Sequence, residues 1–291
     1  MGFAEMANEF RNLLDWDDLP EMIMEYDTTF NLGNYYVSWI TFCFTEFMET
    51  EDSPMATIDL ACLIHLKKRQ SSHKCFWNMV KEEIPEIASS KKLLICTDQE
   101  AAIVNDIEKI FPNMPWARCH IHAWKDQKMK LRSLGISSRS ELAKYRSNFC
   151  FAVASPKIIH RILRCFSIIS AEFYEHCNYI QTVYEFATYF EKHIRPDMNS
   201  MGIWSLQRYN VKYLLSTNRS ESFNALLKCH FIKPRAYTED EMILGSYEFV
   251  MRQLLRIRRA RFRVGENWFL GHHLQHLYKL TDNEELGNIA I

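Results

Sequence analysis

Residues 21–47 read EMIMEYDTTFNLGNYYVSWITFCFTEF. Two runs rich in Ile, Val, Thr, Tyr and Phe, Glu21 to Leu32 and Tyr35 to Phe47, flank the turn signal Asn31-Leu32-Gly33-Asn34, which is the pattern of a β-hairpin. Asp27 falls in the middle of the first run, between Tyr26 and Thr28. A carboxylate buried at such a place is costly unless it is paired or holds a metal ion.

Working outward, Met55 to Ile64 reads as a third strand. The period then changes: Ser71 to Ile84 has apolar residues at 76, 77, 79, 80 and 84, one face of a helix that Pro85 ends. Leu93 to Cys96 is a buried-looking strand leading to Asp98, which can cap the next helix, Glu100 to Ile110, stopped by Pro112. Met114 to Cys119 is a short fifth strand. Three strands, a helix, a strand, a helix and a strand make a mixed α/β order. Before it, residues 1–20 form a short acidic segment with a helical turn or two around Phe10 to Leu14. After it, 139–210 is expected to be all helical, 219–230 and 239–264 continue as helices, and Asn267 to Leu280 is expected as one more.

The composition allows a sizeable core: 291 residues, 47% hydrophobic and 24% charged. A net charge of −1 hides an asymmetry, because residues 1–25 carry seven acids against Arg11 alone and residues 252–263 carry six arginines and no acid. Whole-chain charge therefore does not argue against a nucleic-acid partner. No run approaches the roughly 18 apolar residues of a membrane span, and Met1 to Leu13 lacks the pattern of a secretory signal, so a soluble intracellular protein is expected. Nine cysteines without a repeated spacing predict reduced thiols. Eight glycines form no phosphate-binding loop, and no Gly-x-Ser-x-Gly elbow is present.

Three acids stand where two-metal phosphoryl transfer needs them: Asp27 in mid-strand, Asp98 at a strand end and Glu221 opening a helix in Asn218-Arg219-Ser220-Glu221-Ser222-Phe223-Asn224. Such chemistry needs carboxylates that converge from separate elements, to clamp two ions roughly 3.5 to 4 Å apart over one phosphate. Taken singly, Asp98 is better read as an ordinary helix cap, Glu221 as a solvated helical acid and Asp27 as a strand-edge residue.

The order of these acids resembles the ribonuclease-H-like core of DDE transposases, and within that group the Mutator-like element (MULE) transposases. The resemblance rests on Asp27-x-Thr29-Phe30, Thr97-Asp98 followed by Ala101 and Ala102, Phe111-Pro112 leading to Cys119-x-x-His122, and Glu221-Ser222-x-Asn224 with Leu227-Lys228; it covers residues 21–230. It implies an α/β fold with a ribonuclease-H-like mixed sheet flanked by helices. The catalytic core would be 21–138 with 211–235, the all-helical insertion 139–210 before the last catalytic helix, and the C-terminal helices 236–291. It implies catalytic and metal-binding roles for Asp27, Asp98 and Glu221 with two Mg2+ (or Mn2+) ions, DNA as partner, nuclear location and no membrane, and it leaves homo-oligomer formation open. Relatives generally carry a zinc-binding recognition domain before the core, for which the 20 residues ahead of the first strand leave no room. Two readings therefore stand: a metal-dependent DNA strand-cleaving and strand-transferring core, and a catalytically inactive domesticated DNA-binding or protein-interaction module.

Cys119-x-x-His122 could be half of a zinc site, but Cys229-His230 lacks the matching gap and no zinc site is assigned. The resemblance implies instead a structural or DNA-contacting role for Cys119 and His122. Arg118, Lys125, Lys128, Lys130 and Arg132 surround Trp124, which can stack on an unpaired base or belong to the core. Arg252, Arg256, Arg259 and Arg263 fall at i, i+4, i+7 and i+11, one helix face that suits a DNA backbone or plain solvent. His272, His273 and His276 have no acid or cysteine spaced to complete a metal site.

Overall fold

A computed structural model describes residues 4–16, 22–32, 34–48, 55–98, 100–154, 177–212, 215–230, 237–262 and 269–270. The expected hairpin is present as β1 (Met22–Leu32) and β2 (Tyr35–Met48), followed by β3 (Met55–His65), β4 (Leu93–Thr97) and β5 (Trp116–Arg118). They form a mixed sheet of order β3-β2-β1-β4-β5 flanked by helices. The chain divides into two compact units, Met1–Leu93 with Asn105–Met114 and Asn218–Ile291, and Leu94–Val104 with Pro115–Thr217.

In the first unit the antiparallel register sets Glu25 opposite Thr41, Tyr26 opposite Ile40 and Asp27 opposite Trp39. Alternation of side chains then gives β1 two different faces. On one, the Tyr26 ring packs on Phe76 and Trp77 of α2 (Gln70–Glu83) and its hydroxyl hydrogen-bonds His73 Nδ1 at 2.8 Å. On the other lie Glu25 and Asp27, beneath α8 (Asn218–His230), whose buried residues Ser220, Phe223, Asn224 and Leu227 recur at i, i+3, i+4 and i+7. Phe223 meets Trp39 at 5.3 Å and Phe249 at 5.0 Å between ring centroids, edge to face. Phe249 belongs to α9 (Glu239–Arg261), whose start is fixed by a capping box of Thr238 and Glu241.

The acidic start of the chain is more ordered than the sequence suggests. Residues Ala4–Leu14 form α1, an 11-residue helix that buries Met6, Ala7, Phe10 and Leu13, with Phe10 edge-on to Phe42 at 4.9 Å. Its Glu9 and the buried Glu46 of β2 both accept hydrogen bonds from Arg261, which grips Glu46 in a bidentate fork at 2.9 Å per bond. One of the six C-terminal arginines is thus committed to an internal ion pair.

The second unit holds the parallel pair β4–β5, with Ile95 opposite Trp116, Cys96 opposite Ala117 and Thr97 opposite Arg118. All five residues of β4 are buried. Helix α4 (Ala101–Ile110) is the crossover, as a parallel pair requires. Then come α5 (His120–Ser133), α6 (Arg139–Ala154) and α7 (Cys177–His193), preceding short turns that include Met198–Met201 and Ile203–Leu206. Helix α5 ends in a Schellman motif: Gly135 takes the left-handed φ of 89°, and the amides of Gly135 and Ile136 bond the carbonyls of Arg132 and Leu131. Leu131, Ile136, Tyr145, Phe149, Phe186, Phe190 and Ile194 build the helical core.

One expectation is corrected. Asn267 to Leu280 was expected to be helical, but Phe269–Leu270 is a strand, β6, paired antiparallel with Phe47 and Met48; the rest of that stretch lies outside the described residues. The β1 register ends at Met24 opposite Phe42, so the final residues of β2 need another partner for their backbone groups.

Glu46 is 1% exposed and depends on Arg261 for its counter-charge. Arg261→Ala is expected to lower unfolding free energy by about 3 kcal/mol in urea titrations, the cost of stranding a buried charge. The exposed Arg256→Ala should change it by less than about 0.5 kcal/mol. Equal effects of the two would contradict the buried-pair assignment.

Candidate functional site

The best-defined polar centre of the first unit is the seat of α8 on the sheet. Ser220 N donates to Glu25 Oε2 at 2.9 Å, and the Ser220 and Thr41 hydroxyls share a hydrogen bond of 2.7 Å. A helix start offers unpaired N–H groups and partial positive charge, so the buried Glu25 carboxylate and the α8 N-terminus satisfy each other. One turn further, Asn224 Nδ2 donates to Asp27 Oδ2 at 2.9 Å. Asp27 is half-buried, as is Glu221, which stands three residues before Asn224 and therefore neighbours it on the helix surface. Asp27 and the Glu221 turn are thus held on the same packed pair of elements.

Asp98 belongs to the second unit. It is half-buried just beyond β4, and its Oδ1 accepts from Glu100 N at 3.3 Å, the contact of a cap at the entry to α4. The preceding carbonyl, that of Thr97, accepts from Cys119 N at 2.8 Å. Cys119 is the cap residue of α5 and anchors a tight polar knot. His120 bonds the Leu215 carbonyl through both its amide, at 3.2 Å, and Nδ1, at 2.7 Å. Thr217 donates to Cys119 Sγ through its amide, at 3.3 Å, and its hydroxyl, at 3.4 Å, and that hydroxyl lies 3.3 Å from His122 Nδ1. A hydrogen bond from Cys96 pulls the Cys119 thiol down most strongly; burial opposes it, His122 and Thr217 add to the pull, and the result is about 3. The Cys-x-x-His motif therefore ties β4, the start of α5 and segment 215–217 together through sulfur-centred hydrogen bonds. Among the described residues no group of three or more His, Cys, Asp or Glu could hold a metal ion.

The cations expected near Trp124 separate into different roles. Arg118 is 2% exposed and bridges Asp197 at 2.7 Å and Asp126 at 2.8 Å, so its charge is spent internally. Lys125 and Arg132 are exposed, whereas Trp124 is half-buried against the helical core, its ring parallel to Phe149 at 6.5 Å. On α9, Arg252, Arg256 and Arg259 are exposed opposite the buried Gln253, Leu254, Ile257 and Ala260. Arg263 and the histidines at 272, 273 and 276 lie outside the described residues. Sequence reasoning missed Glu25, Ser220, Thr217 and the donor role of Asn224. The i, i+3 spacing of Glu221 and Asn224 was a signal for the last; nothing local marked Glu25, whose partner is 195 residues away.

The fold is of mixed α/β class, with Asp27 on β1 and Asp98 just beyond β4. The family model described as the MULE transposase domain matches residues 23–126, roughly a third of the chain. The match includes Asp27, Asp98, Cys119 and His122 and associates the chain with transposases. No curated protein matches the chain. Among the described residues no helix is long and apolar enough to cross a membrane.

A strongly perturbed carboxylate lies elsewhere, at Asp59 of β3, opposite Thr41. Its side chain is fully buried with neither oxygen hydrogen-bonded, and burial pushes its carboxyl from 3.8 up to about 7. The folded state thus keeps a proton that the unfolded chain releases near pH 4. The stability this confers is complete below about pH 4 and is lost as pH rises through about 7. Asp59→Asn is expected to flatten the decline in urea midpoint across that window and to raise stability at pH 8; an unchanged pH profile would contradict the assignment.

Proposed function

We propose that the chain contains the ribonuclease-H-like core of a DDE transposase, in which Asp27, Asp98 and Glu221 hold two Mg2+ or Mn2+ ions for in-line phosphoryl transfer on DNA. The observation that carries this reading is the docking of α8 on β1, where Asn224 bonds Asp27 and Glu221 occupies the adjoining turn. The MULE domain match supports it, since it spans both aspartates. The donor set suits a hard divalent cation, being carboxylate and amide oxygen, and the Asn224 oxygen is buried without a partner.

When bound, such ions activate an attacking oxygen and stabilise the leaving one. The chain's own residues have preparatory roles. Glu25 and Thr41 fix the first turn of α8, and Asn224 fixes the orientation of the Asp27 carboxylate. The Cys119–Thr217 knot sets the position of Thr97, next to Asp98, and of the segment that enters α8. In this reading the helices of residues 139–210 form an insertion in the core, the protein works in the nucleus, and the exposed Arg252, Arg256 and Arg259 follow phosphates along the DNA.

The second reading is a catalytically inactive DNA-binding or protein-interaction module of the same descent, favoured by the capping contact between Asp98 and Glu100. Cleavage of labelled DNA separates them. The wild type is expected to nick DNA in Mg2+ or Mn2+ and Asp98→Ala to lose at least about 100-fold in rate, a loss of about 2.7 kcal/mol in transition-state stabilisation. No cleavage by the wild type with either metal would overturn the enzymatic reading. Arg256→Glu combined with Arg259→Glu should weaken DNA binding and make the slope of log affinity against log salt shallower by about 2. An unchanged slope would show that the stripe is not a phosphate track.

A further inference from the structure

We infer that Asn224 is itself a cation ligand, supplying its amide oxygen beside Asp27 and Glu221. The inference rests on the metal-binding reading given above and adds to it a donor outside the acidic triad.

Asn224 is 6% exposed, and the two ends of its amide have different fates. The nitrogen donates to Asp27 Oδ2 at 2.9 Å, whereas the oxygen is buried without a hydrogen-bond partner. Buried amide oxygens are nearly always partnered, so an orphan next to a half-exposed carboxylate calls for an electropositive occupant. Exchanging the assigned amide oxygen and nitrogen does not remove the problem, because one buried end stays unsatisfied in either orientation. The surroundings offer no simple structural use for the oxygen. The first turn of α8 is already held by Glu25 and Thr41, and the apolar side of the helix by Phe223 on Trp39. Asn224 is three residues after Glu221 on one helix, so a single rigid element carries a carboxylate beside the amide that contacts Asp27. Carboxylates and side-chain carbonyls together are the donor set of a hard divalent cation. Because Nδ2 of the same group orients Asp27, Asn224 sets the direction of one ligand while providing another.

The test is titration calorimetry of Mn2+ into the full chain without DNA, run on the wild type and on Asp27→Asn, Asn224→Leu and Asn224→Asp, with metal-free melting curves for each. The wild type is expected to bind Mn2+ and Asp27→Asn to lose that binding. Asn224→Leu should weaken binding at least about tenfold while its metal-free melting temperature stays close to that of the wild type. Asn224→Asp, which keeps an oxygen but cannot donate to Asp27, should bind at least as tightly as the wild type. Two results would overturn the inference alone: Asn224→Leu binding as tightly as the wild type, or Asn224→Asp binding as weakly as Asn224→Leu. Wild-type binding that is absent or survives Asp27→Asn would overturn the metal-site reading together with it.

Discussion

Much of the first unit depends on one interaction, the bond from Ser220 N to the buried carboxylate of Glu25. An acid on a central strand, 4% exposed, would be costly without a partner. A helix N-terminus needs an acceptor just as much. Placing one on the other removes both penalties and fixes where α8 begins relative to β1. With the first turn fixed, the 3.6-residue period places Phe223 on Trp39 and Asn224 on Asp27, one turn along the same face. Glu221 is carried to the border of that face, half-buried.

The second unit solves a comparable problem with sulfur. Cys119 is fully buried, yet its thiol accepts both hydrogen bonds that Thr217 can give, and His122 closes the knot. A motif that in isolation suggests half a zinc site thus works as a hydrogen-bonded joint between a strand end, a helix start and the chain leading to Asn218. Arg118, next in sequence, shows the same inward use of polarity, held between Asp126 and Asp197. Basic residues close in sequence to the candidate acids are therefore not all available to a nucleic acid. On α9 Arg252, Arg256 and Arg259 are exposed, whereas Arg261 is committed to Glu46 and Glu9.

The parts legible in the sequence were those governed by local periodicity and punctuation. The hairpin was marked by two β-rich runs around Asn31-Leu32-Gly33-Asn34, α2 by its apolar spacing before Pro85, and α4 by Asp98 and Pro112. Long-range pairing was hidden. Helix α1 looked too acidic to commit to a full helix, because Glu9 has its counter-charge on Arg261, 252 residues away. Strand β6 looked helical because its pairing with Phe47 and Met48 is imposed by an incomplete strand edge that its own residues do not encode. At the candidate site the motif order proposes Asp27, Asp98 and Glu221, whereas Glu25, Thr41 and Thr217 owe their contacts to partners at least 95 residues away.

The proposed divalent-cation site is built by the seating of α8 on β1, from Asp27 and the Glu221–Asn224 turn. Its most direct test is a crystal of the protein soaked in Mn2+ and measured at the manganese absorption edge. An anomalous peak is expected within coordination distance of Asp27 and Glu221, with the Asn224 oxygen turned toward it. Saturating Mn2+ that leaves those side chains without a peak, with Asn224 Nδ2 still on Asp27, would contradict it.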